Sequence, residues 1–145
     1  MSATAGQAAD GVRSLADRFG IEPGMVVMEM GYDDDVDADL RDALIDRCGE
    51  LVDEDTDEVV DAVLLWWRDG DGDLVEALIE TLGPLAPDGV VWLLTPKPGR
   101  EGHVEPSDVT ESAPTAGLQQ TSTLNAGKDW SGARLVLPRG ARNRK

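Results

Sequence analysis

Clustered carboxylates are the side chains of this sequence whose spacing comes closest to that of a metal site. The first cluster consists of Asp33, Asp34, Asp35, Asp37 and Asp39. Hard cations such as Mg²⁺ and Ca²⁺ prefer such carboxylate oxygens. A calcium loop that started at Asp33 would need a glycine and a bidentate acid where the chain has Ala38 and Leu44. The spacing therefore does not predict a calcium loop here.

A second acidic run follows the pattern more closely. Asp69, Asp71 and Asp73 are followed by Glu80 at the twelfth position of the loop. The glycine that the loop requires is replaced by Leu74, and the segment LVEALIETL has the spacing of a regular helix. We expect no specific metal site in either run.

Nucleophilic catalysis has few residues available to it. The single histidine, His103, lies in a loop rich in glycine and proline, with no nucleophile beside it. The single cysteine, Cys48, ends an amphipathic segment and is expected to be a buried hydrophobic residue. One cysteine also excludes an internal disulfide and a multi-cysteine zinc site. We predict no catalytic residues.

Tryptophans are the remaining candidates for contact with a ligand or partner. Trp66 and Trp67 are adjacent, so a strand would point them to opposite faces, and we expect one or both in the core. Trp130 belongs to the turn-like sequence KDWSG. It is expected to be an exposed aromatic residue that contacts a partner or clasps a hairpin.

Charge restricts the partners of the chain. The 145 residues carry a net charge of −16, from 29 acidic and 13 basic residues. Fifteen of the acids lie between Glu29 and Asp61, where only Arg41 and Arg47 oppose them. Such a field disfavours nucleic acid and anionic membranes. It fits a solvated face, a docking surface for a basic protein, or a mimic of nucleic acid that binds a basic protein.

No apolar run approaches the length of a transmembrane helix, and the N-terminus lacks the features of a signal peptide. We therefore expect a cytoplasmic protein. Residues 1–7 are expected to be disordered, residues 8–138 to form a single domain, and residues 139–145, RGARNRK, to be a basic flexible tail. The sequence does not predict an oligomeric state.

Strands alternate with helices along the domain. Apolar periodicity predicts helices at 8–19, 36–48, 74–82 and 106–113, and strands at 25–30, 62–67, 90–95, 119–124 and 133–137. The segment 50–52 fits either a strand or a loop, and 85–89 is predicted to be a turn. Alternation of this kind indicates an α/β fold with a mostly parallel sheet, here with a terminal antiparallel β-hairpin.

The order of these features resembles a known family. The segment GIEPGMVVMEMGY, the run that begins at Asp61, the turn Leu85-Ala86-Pro87-Asp88-Gly89 and the final hairpin are similar to the core of class I S-adenosylmethionine methyltransferases. That resemblance implies a three-layer, Rossmann-like sheet. The whole chain also resembles short, acidic actinobacterial proteins with a domain of unknown function, from which no activity follows.

The resemblance also identifies a candidate cofactor site and the departures from it. The methyltransferase family places roughly G-x-G-x-G after its first strand, whereas residues 29–35 contain one glycine. If a cofactor bound, the resemblance implies a crevice formed by Gly31, Tyr32, Asp33, Asp61 and Trp66. Side chains would block close approach of the backbone, and three carboxylates would repel the carboxylate of the cofactor.

We therefore predict no cofactor and a non-catalytic protein–protein interaction or regulatory module with an acidic surface. The alternative is a minimal S-adenosylmethionine- or nucleotide-binding protein with a methyltransferase-like fold.

Overall fold

The computed structural model of the protein describes residues 15–138. The predictions for 1–7 and 139–145 lie outside the described residues, as does most of the first predicted helix, of which residues 15–18 are helical. No helix within residues 15–138 has both the length and the apolar character needed to cross a membrane.

Six strands form one sheet in the order β2-β1-β3-β4-β6-β5. Their bounds are β1 Val27–Met30, β2 Leu51–Val52, β3 Val60–Trp66, β4 Leu85–Pro96, β5 Gln119–Asn125 and β6 Trp130–Val136. The pairs β2–β1, β1–β3 and β3–β4 are parallel, whereas β6 is antiparallel to both β4 and β5. The predicted α/β fold with a terminal antiparallel hairpin is confirmed.

Helices cover both faces of the sheet. Their bounds are α1 Ala38–Cys48, α2 Leu74–Leu82 and α3 Pro106–Thr115. Side chains alternate along β4, so Trp92 and Leu94 pack in one core with Phe19 and α1, whereas Val91 and Leu93 pack in the other with α2 and α3. The β3 and β4 strands are apolar on both sides because each face is covered.

Several element boundaries differ from the prediction, and three of the differences have a clear cause. Residues 85–89 begin β4 instead of forming a turn, because Leu85 pairs with Val60 before the register shifts. The α3 helix continues past Pro114 to Thr115. This proline lies in the last turn, and its missing N–H removes one helical hydrogen bond. The β6 strand begins at Trp130, because its first residues pair with the end of β4.

Asp37 joins the start of α1 to the β5–β6 turn. Its Oδ1 accepts a hydrogen bond of 2.8 Å from the backbone N–H of Leu40, and its Oδ2 accepts one of 3.2 Å from that of Lys128. A Cβ atom at Gly127 would overlap this carboxylate. The same side chain thus caps a helix and binds a distant turn.

We expect Asp37→Ala to lower the free energy of unfolding by about 1–2 kcal/mol, because the variant loses an N-cap as well as a tertiary hydrogen bond. Urea unfolding measures the change. Asp46→Ala is the control, since it removes the same charge from an exposed position on α1. Equal losses in the two variants would contradict the structural role of Asp37.

Candidate functional site

The carboxyl ends of β1 and β3 meet at one edge of the sheet, which is where α/β folds bind ligands. Met30 pairs with Leu65 at this edge, and Gly31 follows directly. Gly31 has a φ of +80°, and a Cβ atom there would overlap the carbonyl oxygen of Trp66. The glycine is therefore required by the close passage of the two backbones, whether or not a ligand is present.

Arg68 ties the loop after β1 to the end of β3. Its Nε and Nη2 donate to the two carboxylate oxygens of Asp35 at 2.9 and 2.5 Å, and its Nη1 donates to the carbonyl of Gly31 at 2.9 Å. The guanidinium lies 5.2 Å from the centre of the Trp130 ring. The two hydrogen bonds from Arg68 lower the pKa of the Asp35 carboxyl.

Glu29 anchors a second group of side chains beneath the same edge. Its carboxylate, 9% exposed, accepts hydrogen bonds from Arg41 at 2.6 and 2.8 Å. It also accepts one of 2.9 Å from the indole N–H of Trp66. The Arg41 guanidinium lies 4.7 Å from the centre of the Tyr32 ring, a cation–π distance. Its hydrogen bonds with Glu29 raise the pKa of Arg41.

A cavity of about 520 Å³ lies above these groups, and we call it the acidic cavity. It is lined by six carboxylates, two arginines, an indole, a proline and a glycine: Asp33, Asp34, Asp35, Asp69, Glu101, Asp129, Arg68, Arg100, Trp130, Pro96 and Gly102.

Both arginines of the acidic cavity are paired within it. Arg68 pairs with Asp35, and Arg100 pairs with Asp129 at 2.5 Å. Within residues 15–138, no ion pair reaches the other four carboxylates, which belong to Asp33, Asp34, Asp69 and Glu101. The wall of the cavity is therefore negative.

The structure separates one predicted site residue from the others. Gly31, Tyr32 and Asp33 lie at the carboxyl edge, and Trp66 lies beneath them. Asp61 lies near the amino end of β3, where its Oδ2 accepts a hydrogen bond of 2.9 Å from the backbone N–H of Val26. The grouping of Asp61 with the crevice is wrong, because a parallel strand places its first and last residues at opposite edges of the sheet.

The tryptophans are also less accessible than a ligand site would need. Trp66 is fully buried, and its N–H is already bound to Glu29. Trp130 is 2% exposed, so the expectation of an exposed aromatic is wrong. Its N–H donates to the carbonyl of Asp35 at 3.0 Å, and its ring packs edge-on against Trp66. Trp130 therefore fastens the hairpin to the loop after β1.

Among residues 15–138, no three or more histidine, cysteine, aspartate or glutamate side chains are placed to hold a metal ion. The carboxylates after β1 are adjacent in sequence, but they point to different partners. Asp35 binds Arg68, and Asp33 accepts a hydrogen bond from the backbone N–H of Asp34.

Comparison with known proteins identifies the family. The model of the family described as "Protein of unknown function (DUF3052)" matches residues 16–139. The chain belongs to this family. It is 55% identical over 133 residues to "Uncharacterized protein Rv2239c" of Mycobacterium tuberculosis (strain ATCC 25618 / H37Rv), covering 91% of this chain and 84% of that protein. "Uncharacterized protein Mb2263c" of Mycobacterium bovis matches with the same identity and coverage.

Solved structures show that this DUF3052 chain has a methyltransferase-like fold. A SAM-dependent methyltransferase from Aquifex aeolicus matches with a TM-score of 0.55 and 15% identity, over 86% of this chain and 88% of that one. The pyocyanin biosynthetic protein PhzM matches with a TM-score of 0.62 and 13% identity, over 88% of this chain and 54% of that one. At these identities the likeness concerns the fold alone.

The turn after β1 does not fit the amino-acid end of S-adenosylmethionine. The one glycine there packs against the Trp66 carbonyl, and the Gly31 carbonyl accepts from Arg68. Asp35 is held by the same arginine. The Gly31 carbonyl and the Asp35 carboxylate are thus already engaged by a side chain of this chain.

Sequence reasoning missed the two arginines that organise the edge. Glu29 could have indicated a buried ion pair, because a charged residue in the apolar run MVVMEM needs a partner. Arg41 is one of only two bases in the acidic segment and was the natural candidate. Arg68 gave a weaker signal, because it follows the apolar strand directly and the sequence does not say where its side chain points.

We expect the pKa of Asp35 to rise toward its ordinary value in Arg68→Gln, because the bidentate hydrogen bond lowers it in the folded protein. A lowered pKa stabilises the fold above the pKa of the unfolded chain, and this stabilisation is lost as pH falls through the folded value. Carboxyl NMR titration of both proteins measures the shift. Arg100→Gln, which removes the partner of Asp129, should leave Asp35 unchanged.

We expect Glu29→Gln to lower the free energy of unfolding by about 2 kcal/mol, because Arg41 loses a charged partner that is largely shielded from water. Urea unfolding measures the loss. Glu50→Gln, the same change at an exposed position, is the control and should cost much less. A loss in Glu29→Gln no larger than in the control would show that the ion pair is energetically neutral.

Proposed function

We propose that this protein is a non-catalytic interaction module that binds a lysine- or arginine-rich segment of a partner protein at the rim of the acidic cavity. The observation that carries the proposal is the way the two arginines of the cavity are used. Each is paired with an aspartate of this chain, which leaves four neighbouring carboxylates without a cationic partner within residues 15–138.

The packing beneath the cavity supports a binding role over a catalytic one. Arg41, Arg68 and the buried Trp130 occupy the space over the ends of β1 and β3 with hydrogen-bonded side chains. This floor orders the backbone that carries the neighbouring carboxylates, through its hydrogen bonds with Gly31 and Asp35. Pre-ordered charges lose little conformational entropy when a partner binds.

The location of the carboxylates supports a basic partner. Asp33 and Asp34 lie on the loop after β1, Asp69 follows β3, and Glu101 belongs to the loop after β4. They therefore surround the cavity from three loops, and their like charges repel one another in the free protein. A cationic segment relieves this repulsion, and such contacts are screened by salt. The proposal places the chain and its partner in the cytoplasm.

We expect an oligolysine peptide to shift the backbone NMR signals of the three loops at about 0.1 M salt and to lose this effect at about 1 M, where the Debye length falls from about 10 Å to about 3 Å. Neutralising Asp34, Asp69 and Glu101 as Asp34→Asn, Asp69→Asn and Glu101→Gln should weaken binding about tenfold, at roughly 0.5 kcal/mol per exposed pair.

The matched control removes three charges elsewhere. Glu54→Gln, Asp57→Asn and Glu58→Gln neutralise exposed acids of the loop before β3, none of which lines the acidic cavity. This variant should bind the peptide almost as well as the natural chain. If both variants lose affinity equally, the attraction depends on net charge alone and the proposed surface is wrong.

A second candidate function is the binding of S-adenosylmethionine, the compound in the name of the Aquifex aeolicus methyltransferase. The observation in its favour is the volume of the acidic cavity, about 520 Å³, which lies within the usual range for ligand pockets. The negative wall would attract the ammonium and sulfonium groups of that compound.

Titration calorimetry with S-adenosylmethionine decides between the candidates. We expect no saturable heat at millimolar ligand, because the Gly31 carbonyl at the turn already accepts a hydrogen bond from Arg68. Saturable binding that Asp34→Asn and Asp69→Asn abolish would favour the second candidate. Oligolysine is the comparison ligand, since the first candidate predicts heat with the peptide alone.

A further inference from the structure

A second cavity lies on the other side of the loop that follows β4. It has a volume of about 320 Å³, and we call it the hydroxyl pocket. Its lining comprises Thr95, Pro96, Pro98, His103, Val104, Pro106, Val109, Gln120, Thr123, Ser131, Gly132 and Ala133. Of these, only Pro96 also lines the acidic cavity. The two cavities are therefore separate sites on the two sides of residues 97–105.

The floor of the hydroxyl pocket is a row of hydroxyl groups on three adjacent strands. Thr95 of β4 pairs with Ser131 of β6, and Thr123 of β5 pairs with Ala133, the next residue of β6 on the same face. Thr95 is 8% exposed, yet its hydroxyl makes no hydrogen bond within residues 15–138. The same part of the chain offers no partner to the hydroxyls of Ser131 and Thr123.

The Thr95 side chain is largely buried, but its hydroxyl is open to the pocket, since within residues 15–138 the fully buried side-chain atom without a hydrogen bond belongs to Asp129. Native proteins pair a hydroxyl in such a position with protein, water or a ligand, and here the partner must come from the pocket. The other buried threonine in the described chain, Thr81, follows this rule by donating to the carbonyl of Leu78 at 2.6 Å. The Thr95 hydroxyl therefore differs from that of Thr81, because it faces a cavity and not a backbone carbonyl.

The walls of the pocket are apolar and uncharged. Val104, Val109 and Ala133 are buried and belong to the core on the α2 and α3 side of the sheet, and three prolines complete the walls. No aspartate, glutamate, lysine or arginine lines the pocket, in a chain of net charge −16. Such a lining favours a neutral ligand over an ionic one, because an unpaired charge would lose its hydration without compensation.

The imidazole of His103 at the rim and the hydroxyls of the floor define the polar edge of that ligand. His103 Nδ1 lies 2.9 Å from the carbonyl of Pro96, so it must donate, and in the neutral ring Nε2, which lies 3.9 Å from a carboxylate oxygen of Glu105, is an acceptor. Hydroxyl groups both donate and accept.

From this combination we propose that the hydroxyl pocket binds a small, neutral cyclic amide, a planar ring with N–H and C=O groups alternating along one edge. The ring faces pack between Val104, Val109 and the prolines, and the amide edge meets the hydroxyls of Thr95 and Ser131. This site is independent of the acidic cavity and of the partner proposed for it.

Uracil is the probe, in NMR titrations of the full chain at up to millimolar concentrations. We expect saturable shifts at the residues that line the pocket. The matched compounds separate the contributions to binding. In 1,3-dimethyluracil both N–H donors are blocked, orotate adds a carboxylate, and toluene keeps only an apolar ring. We expect weaker binding for the first and last, and none for orotate.

Thr95→Val tests the anchor, because it keeps the shape of the side chain and removes the hydroxyl. It should lower uracil affinity about three- to tenfold, because a hydrogen bond to the ligand is lost, and leave the midpoint of urea unfolding of the free protein nearly unchanged, because the hydroxyl is open to the pocket. Ser122→Ala, on the opposite face of β5 and outside the lining, should change neither.

Three results would overturn the proposal. The first is the absence of saturable binding by uracil together with a crystal structure in which the pocket holds ordered water alone. The second is a Thr95→Val variant that binds uracil as tightly as the natural chain. The third is orotate binding as well as uracil, which would show that charge in the ligand is tolerated and that the neutral lining does not select.

Discussion

The carboxylate of Glu29 is the constraint on which the carboxyl edge of this sheet depends. It lies on a strand between two covered faces, and a charge in that position must be compensated where it stands. Arg41 of α1 and the indole of Trp66 provide the compensation. One helix and two strands are thereby held in a single relative position. Tyr32 then covers the Arg41 guanidinium from the loop above.

A second layer of contacts is built on this foundation. With β1 and β3 fixed, their backbones pass so closely that only glycine fits at position 31. Arg68 then reaches back across the gap to Asp35, and Trp130 brings the terminal hairpin against the same loop. At the edge where α/β folds bind ligands, the turn after β1 is held in this chain by its own hydrogen bonds, and the acidic cavity lies above it.

The fold could be predicted from the sequence because its signals are local and redundant. The apolar runs 62–67 and 90–95 have no alternation, which indicates strands covered on both faces, and the predicted helix between them, 74–82, has its own apolar stripe. The boundaries that were missed at Leu85 and Trp130 depend on pairing with distant strands. Such pairing leaves no mark in the local sequence.

The candidate site could be predicted only in part, for a related reason. Gly31, Tyr32 and Asp33 follow a strand end, and topology alone brings them to the carboxyl edge. Asp61 was misplaced because the sequence marks where a strand begins but not which edge of the sheet that beginning reaches. The roles of Arg68 and Trp130 arise from side chains that cross between loops 33 and 95 residues apart, and no periodicity encodes such contacts.

The location of the two cores explains how such a fold can keep its shape while the loops at its carboxyl edge change. Both cores are filled mainly by residues of the sheet and its helices, among them Trp66 of β3, Trp92 of β4 and the leucines of the same two strands. Burial of that apolar surface is the dominant stabilising contribution. The loops after β1, β3 and β4 are therefore free to exchange a glycine-rich turn for ion pairs, carboxylates or a hydroxyl-lined pocket without loss of the framework. Function in this chain must accordingly be sought in the charges and unpaired polar groups of those loops and not in the sheet beneath them.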